Sequence, residues 1–273
     1  MESLWRPGPV LVAGPCVLEN DQVNGEVGVC LARLAARLGI RVIFKASFDK
    51  ANRSRADAPR GPGIDRGLDM LARVKAEYGL PVITDVHEPW QAERAAEVVD
   101  AIQIPAFLCR QTDLLVASGE SGLPVNLKKG QWMSPEAMVG AVEKACAGGA
   151  ADVAVTERGT FFGYGDLVVD MRSFHRMREA MGPDVAVLFD ATHSVQQPGR
   201  GTRGASGGVR EYVPSLLGAA AGAGADGFFV ETHPKPASSP SDPAAIWPLD
   251  GLTELIERAI EIWYAARDRR VPA

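Results

Sequence analysis

Short apolar runs rich in Val and Ile recur along the chain, at residues 10–14, 42–46, 81–85, 101–105, 125–128, 152–156, 185–189 and 227–231. Most do not alternate with polar residues, a pattern that fits parallel strands buried on both faces. Helical periodicity lies between them. Val27, Leu31, Leu34, Ala35 and Leu38 fall on one helical face, and so do Leu252, Leu255, Ile256, Ala259 and Trp263. Ser134-Pro135-Glu136 offers an N-cap, a proline for the first helical position and an early acid. The stretch 216–225 is apolar, short and rich in Gly and Ala, which predicts a helix packed closely against the sheet. Eight strands with intervening helices predict the α/β class and a closed (β/α)8 TIM barrel rather than an open doubly wound sheet. No GxGxxG follows the first strand, which weakens the dinucleotide-fold alternative. The 273 residues suit one barrel, and no linker or composition break divides them, so residues 1–273 are expected to form a single catalytic domain.

The longest loops follow strands two, seven and eight, at residues 47–63, 192–207 and 232–249, and are polar and rich in Gly, Pro and Ser. In a barrel, catalysis belongs at the C-terminal strand ends, where long loops act as lids. Gly199, Gly201, Gly204, Gly207 and Gly208 suit a mobile seventh loop, although a surface connection without function reads the same way.

The side chains at those strand ends carry the chemistry. Cys16, His193 and Glu231 follow strands one, seven and eight, and Asp242 lies in the loop beyond the last. A thiolate, an imidazole and two carboxylates suit a borderline divalent ion such as Zn²⁺, Fe²⁺ or Mn²⁺. Taken singly, Cys16 also reads as a buried thiol, His193 as a hydrogen-bonded loop residue and the two acids as caps. His87 and His233 are rival ligands, whereas His175 sits among arginines in a predicted helix and is expected to face solvent.

Lys45, Lys50, Arg53, Lys128 and Arg158 crowd the same ends, with Ser47, Asn52 and Ser54 as short donors among them. Lys gives a point charge and Arg a planar fork, both suited to phosphate. Lys45 ends a buried strand, so its charge needs a partner or an anionic ligand. Lys45, Lys128 and Arg158 facing one cavity would repel each other unless an anion lay between them. Arg55 and Arg60 read as solvated loop charges. Asp85, ending strand three, can orient a lysine, receive a proton or cap a turn. Gln103, inside strand four, needs hydrogen-bond partners, of which a substrate carboxylate is one.

Charge and cysteine usage narrow the partners. There are 29 basic and 34 acidic residues, so no nucleic-acid surface is indicated, and the cations are clustered locally. Cys16, Cys30, Cys109 and Cys146 show no CxxC spacing; they predict reduced thiols in a cytoplasmic protein, with Cys30 and Cys146 as small core residues of helices. No signal sequence is visible in residues 1–9, and no apolar run is long enough to span a bilayer, so no membrane partner is expected.

Together these motifs resemble the 3-deoxy-D-manno-octulosonate 8-phosphate synthases, over nearly the whole chain. Matching segments include residues 13–16, 44–54, 83–89, 102–115, 126–131, 156–165, 189–196 and 231–242. The resemblance implies a (β/α)8 barrel, often tetrameric, that condenses phosphoenolpyruvate with arabinose 5-phosphate and releases phosphate, for lipopolysaccharide synthesis. It implies that Lys45, Lys50, Lys128 and Arg158 hold phosphoenolpyruvate, assisted by Ser47 and Gln103. Asn52, Arg53 and Ser54 match the pentose-phosphate segment, Arg110 a residue reaching the pentose phosphate of a neighbouring subunit, and Gln196 joins the substrate-binding set. Lys45, Asp85, Lys128 and His193 become the candidate catalytic residues, and Cys16, His193, Glu231 and Asp242 match the metal ligands of the metal-dependent branch. The metal-independent branch carries Asn in place of Cys16. The nearest competitor, 3-deoxy-D-arabino-heptulosonate 7-phosphate synthase, characteristically reads Lys-Pro-Arg-Thr-Ser where this chain reads Lys50-Ala51-Asn52-Arg53-Ser54. A sugar-phosphate sensor without turnover is the non-enzyme alternative.

Overall fold

The structure, a computed structural model, describes residues 2–51, 53, 56–161, 164–201 and 206–267. Eight parallel strands dominate it: β1 (Val10–Val17), β2 (Arg41–Ser47), β3 (Val82–Asp85), β4 (Ala101–Ile104), β5 (Val125–Lys128), β6 (Val153–Glu157), β7 (Ala186–Asp190) and β8 (Gly227–His233). Each pairs with the next, and β8 returns to β1 from Val10↔Gly227 to Gly14↔Glu231, which closes the predicted barrel. Helices α1 (Asp21–Leu38), α2 (Ile64–Tyr78), α3 (Pro89–Ala96), α4 (Thr112–Glu120), α5 (Val139–Ala147), α6 (Ser173–Met181), α7 (Val213–Ala223) and α8 (Leu252–Ala266) follow the strands in turn.

The predicted stripes are the buried ones. α1 buries Val27, Leu31 and Leu34, and α8 buries Leu252, Leu255, Ile256, Ala259 and Trp263. Ser134 Oγ accepts the Ala137 amide at 3.3 Å, as a cap should, but the turn it opens is 3-10 (Glu136–Met138) and α5 starts only at Val139. Two expectations need correction. Cys146 is exposed and Cys30 only half-buried, because each lies one step off its helix's buried stripe. The small residues of α7 serve two contacts: Val213, Leu217, Ala220 and Ala221 are buried, while Gly218 and Gly222 lie against Ile262 of α8 rather than the sheet. His175 is exposed, as expected, with its side chain 83% accessible.

Two apolar cores result. The larger lies between strands and helices. The smaller fills the barrel, built from Val10, Val12, Ile43, Ile83, Ala154, Leu188 and Phe229, with Trp5 beneath them. Arg41 Nη1 donates to the carbonyls of Ser3 and Leu4 at 2.7 and 2.9 Å, and Asp152 accepts from the Ser3 hydroxyl and the Leu4 amide. These bonds hold the segment before β1 across the N-terminal end of the barrel. At the other end, Arg53 donates to Ser241 Oγ at 2.9 Å and to the Pro240 carbonyl at 3.0 Å, joining the loops after β2 and β8. Among the described residues no helix is long and apolar enough to cross a membrane.

Candidate active site

A cavity of about 740 Å³ opens at the C-terminal strand ends, lined by Lys45, Lys50, Arg53, Asp85, Gln103, Lys128, Arg158, His193, Gln196 and Asp242 among others. Ser47, Cys16 and Glu231 are fully buried beside these residues. Arg110 is exposed and not part of this lining. Asn52, Ser54, Arg55 and Gly204 lie outside the described residues.

One side of the mouth gathers the candidate ligands. The β1–β2 pairing skips a step between Ala13 and Cys16, and Cys16 takes a left-handed backbone with φ 67°. This bulge re-aims the side chain. A Cβ on Gly14 would lie 1.8 Å from the Lys45 carbonyl oxygen, so the close approach of β1 to β2 there requires glycine. The ligand atoms of Cys16, Glu231 and Asp242 lie within 4.8 Å of one another. His193 stands just beside them, its Nε2 3.5 Å from Glu231 Oε2. Glu231 Oε2 is buried and finds no hydrogen-bond donor. That orphaned oxygen, with a thiol, an imidazole and a second carboxylate around it, is a donor set that fits a borderline divalent ion. His233 is occupied elsewhere: its Nε2 meets Glu19 Oε1 at 2.9 Å and its Nδ1 accepts the Lys235 amide at 2.9 Å. His87 lines the cavity instead, with its Nδ1 buried and unpartnered.

Burial and neighbouring charge set the protonation states. Burial, then the Glu231 carboxylate, pushes the Cys16 thiol up to about 12, against the pull of Lys50 and Lys45. Burial also acts to raise the pKa of Glu231, but His193, Lys45 and Lys50 outweigh it and bring the group down to about 2. Asp85 is likewise held well below the carboxylate range: burial opposes ionisation, and Lys45 and Lys50 overcome it. Lys45 Nζ lies 3.2 Å from Glu231 Oε1, 3.3 Å from Asp85 Oδ2 and 3.0 Å from Ser47 Oγ, and Ser47 in turn donates to Asp85. Lys50 Nζ stands 3.7 Å from Asp85 and 3.9 Å from Glu231.

The expected repulsion among strand-end cations is therefore relieved in part by buried carboxylates: Asp85 and Glu231 serve Lys45, and Asp190 pairs with Lys128. Arg158 differs. Its Nη2 donates to Gln196 Oε1 at 2.7 Å, Gln196 donates to Asp242 Oδ1 at 2.5 Å, and Arg158 Nη1 is buried without a hydrogen-bond partner. Gln103 finds its partners within the protein: it donates to Asp85 Oδ1 at 2.7 Å and accepts from Asn126 at 2.8 Å. Arg60 is a solvated loop charge, as expected, paired with Asp49.

Two residues at the centre of the site were not singled out from the sequence. Asp190 contacts both Lys128 and His193. The Phe229 ring lies 3.4 Å from Lys128 Nζ and 5.6 Å from Lys45 Nζ, a floor whose negative face attracts both cations. A buried strand-end lysine with an acid–x–x–His segment elsewhere was the available signal for Asp190; Phe229 reads as one more core aromatic.

Comparison with known proteins identifies the family. The family model described as the DAHP synthetase I family matches residues 7–261. A protein named 2-dehydro-3-deoxyphosphooctonate aldolase from Nitratidesulfovibrio vulgaris (strain DP4) is 51% identical over 253 residues, covering 93% of this chain and 91% of that one. Proteins of the same name from Fusobacterium nucleatum and Alkalilimnicola ehrlichii are 49% and 48% identical, covering 93% and 95% of this chain and 90% and 92% of theirs. With a family model spanning nearly its whole length and relatives about half identical to it, the chain belongs to the DAHP synthetase I family, alongside its 3-deoxy-D-manno-octulosonate 8-phosphate synthases.

Proposed function

We propose that the protein condenses phosphoenolpyruvate with D-arabinose 5-phosphate to give 3-deoxy-D-manno-octulosonate 8-phosphate and inorganic phosphate. One observation carries this reading: Lys45, Lys50, Lys128 and Arg158 converge on a single cavity that His193 and Asp242 also line, with Cys16 and Glu231 buried beside them. C3 of phosphoenolpyruvate attacks the aldehyde carbon, water adds at C2, and the C2–O bond to phosphate breaks, leaving a ketone. The water oxygen becomes the ketone oxygen and gives up both its protons, one to the aldehyde oxygen and one to the departing phosphate. The four cations hold the phosphate and carboxylate of phosphoenolpyruvate, with the unpaired Nη1 of Arg158 as a ready donor. Asp85, kept ionised by Lys45 and Lys50 against burial, serves to orient lysines or accept a proton, not to donate one at neutral pH. Arg53 holds the pentose phosphate. Two anions must be brought together, so most of the rate gain comes from orientation and preset charge.

Cys16, His193, Glu231 and Asp242 would hold a divalent ion, which supplies Lewis acidity when bound. A homotetramer is the proposed assembly; Arg110, exposed away from its own mouth, would then reach a neighbour's pentose phosphate. A reducing cytoplasm suits four free thiols, of which Cys16 must remain one. The test is phosphate release from phosphoenolpyruvate with each aldose in turn. Turnover with arabinose 5-phosphate, lost on chelation and regained with added metal, is the expected result. Turnover only with erythrose 4-phosphate would mean the seven-carbon synthase, and none with either would mean a sensor.

A further inference from the structure

Asp190 ends β7 at 0% exposure and does not line the cavity. Both its oxygens are spent on the site. Oδ1 accepts the His193 amide at 2.9 Å, which fixes the turn that carries the imidazole. Oδ2 lies 2.6 Å from His193 Nδ1 and also receives Lys128 Nζ. Asp190 accepts from a backbone amide on one oxygen and from the Lys128 ammonium on the other, so it faces the ring as an acceptor and Nδ1 is the nitrogen that donates. That leaves the lone pair on Nε2, the nitrogen that stands 3.5 Å from Glu231 Oε2 beside Cys16 and Asp242. On its other side the same oxygen holds Lys128 over the Phe229 ring, and Lys128 faces the cavity. A buried carboxylate with one cation and one imidazole at a single oxygen cannot shift toward either without loosening the other.

We propose that Asp190 is a positioning residue shared by the two halves of the site: it aims Nε2 of His193 at the Cys16–Glu231–Asp242 cluster and holds Lys128 in place for the anionic substrate. This rests on the metal site proposed above. The inference predicts that loss of one carboxylate weakens two unrelated ligands together.

The test is Asp190→Asn, nearly the same shape, studied by binding and without turnover. Competition with a chromophoric chelator should show zinc held about 10–100-fold more weakly than in the parent chain, the usual cost of losing an outer carboxylate on a histidine ligand. Phosphoenolpyruvate binding without aldose should weaken severalfold as well. Thr84→Val removes a different buried hydrogen bond, from Thr84 Oγ1 to the Ala46 carbonyl, and should change neither affinity. If either affinity of Asp190→Asn stays within about twofold of the parent, the shared role is wrong. Should that variant fail to fold, ¹⁵N-histidine NMR of the unaltered, metal-free chain decides, at a pH that leaves the ring neutral. His193 protonated on Nδ1 supports the proposal, and protonation on Nε2 overturns it. If the unaltered chain takes up no zinc, the metal reading itself fails, and the tautomer still tests Asp190 separately.

Discussion

Lys128 shows how much one buried charge constrains this site. It is 4% exposed, and burial pulls its ammonium down to about 8, with Asp190 opposing the fall and Arg158 and Lys45 adding to it. The sign of the consequence is fixed. A ligand that needs the ammonium loses affinity as pH rises through about 8, so the Kd for phosphoenolpyruvate should climb about tenfold per pH unit above that point. Lys128→Met should bind weakly and flatly across the same range. Equilibrium titration from neutral to alkaline pH checks this, and a parent profile as flat as the variant's would refute it. For stability, a lysine whose folded pKa lies below its unfolded value is a cost at neutral pH, relieved as pH rises from about 8 towards the ordinary lysine range. Lys45, Lys128 and Arg158 were legible in the sequence because a cation ending a buried run demands a partner. Asp190 was not, because the apolar run of β7 stops at Phe189 and left the acid looking like the first residue of a loop.

Among the elements, β1 diverges most from its sequence pattern. The apolar run predicts a strand ending at Gly14, since Gly-Pro ordinarily closes one. Pairing instead resumes beyond a bulge, Cys16 with Ala46 and Val17 with Ser47. The other strands were legible to within a residue or two, because runs buried on both faces leave little choice of where they lie. A bulge depends on backbone geometry, which hydrophobic pattern does not encode. Cys16 pays for it with a φ of 67°, a region that Asn tolerates and β-branched residues do not. Cys16→Asn should therefore melt close to the parent, while Cys16→Val should lose about 1–3 kcal/mol. Both variants lack the thiol, so on the proposed metal site both should bind zinc more weakly than the parent. The difference between them isolates the backbone, and equal melting temperatures would show that the bulge stores no strain.

At the scale of the molecule, the barrel separates stability from chemistry along its axis. The mouth carries the buried charges, which burial alone would disfavour. The opposite end is closed by apolar packing: Trp5 is 0% exposed beneath Val10, Val12, Ile43, Ile83 and Leu188, and Arg41 ties down the carbonyls around it. The outer core was legible as helical stripes. The plug was not, because residues before β1 carry no periodicity to read. Removing the indole leaves a cavity in a closed column of strand residues that cannot collapse without breaking their pairing. Trp5→Ala should therefore cost about 3–5 kcal/mol, lowering the melting temperature by on the order of 10 °C. Trp5→Phe should recover part of that loss. Zinc affinity in both should match the parent, because Cys16, His193, Glu231 and Asp242 are held at the far end by the β1 bulge and the loops after β7 and β8. Calorimetry and chelator competition on the same samples test both halves. A Trp5→Ala chain that melts like the parent would mean the segment before β1 only covers the barrel, and a destabilised one that also binds zinc more weakly at the proposed site would mean the two ends are coupled through Phe229.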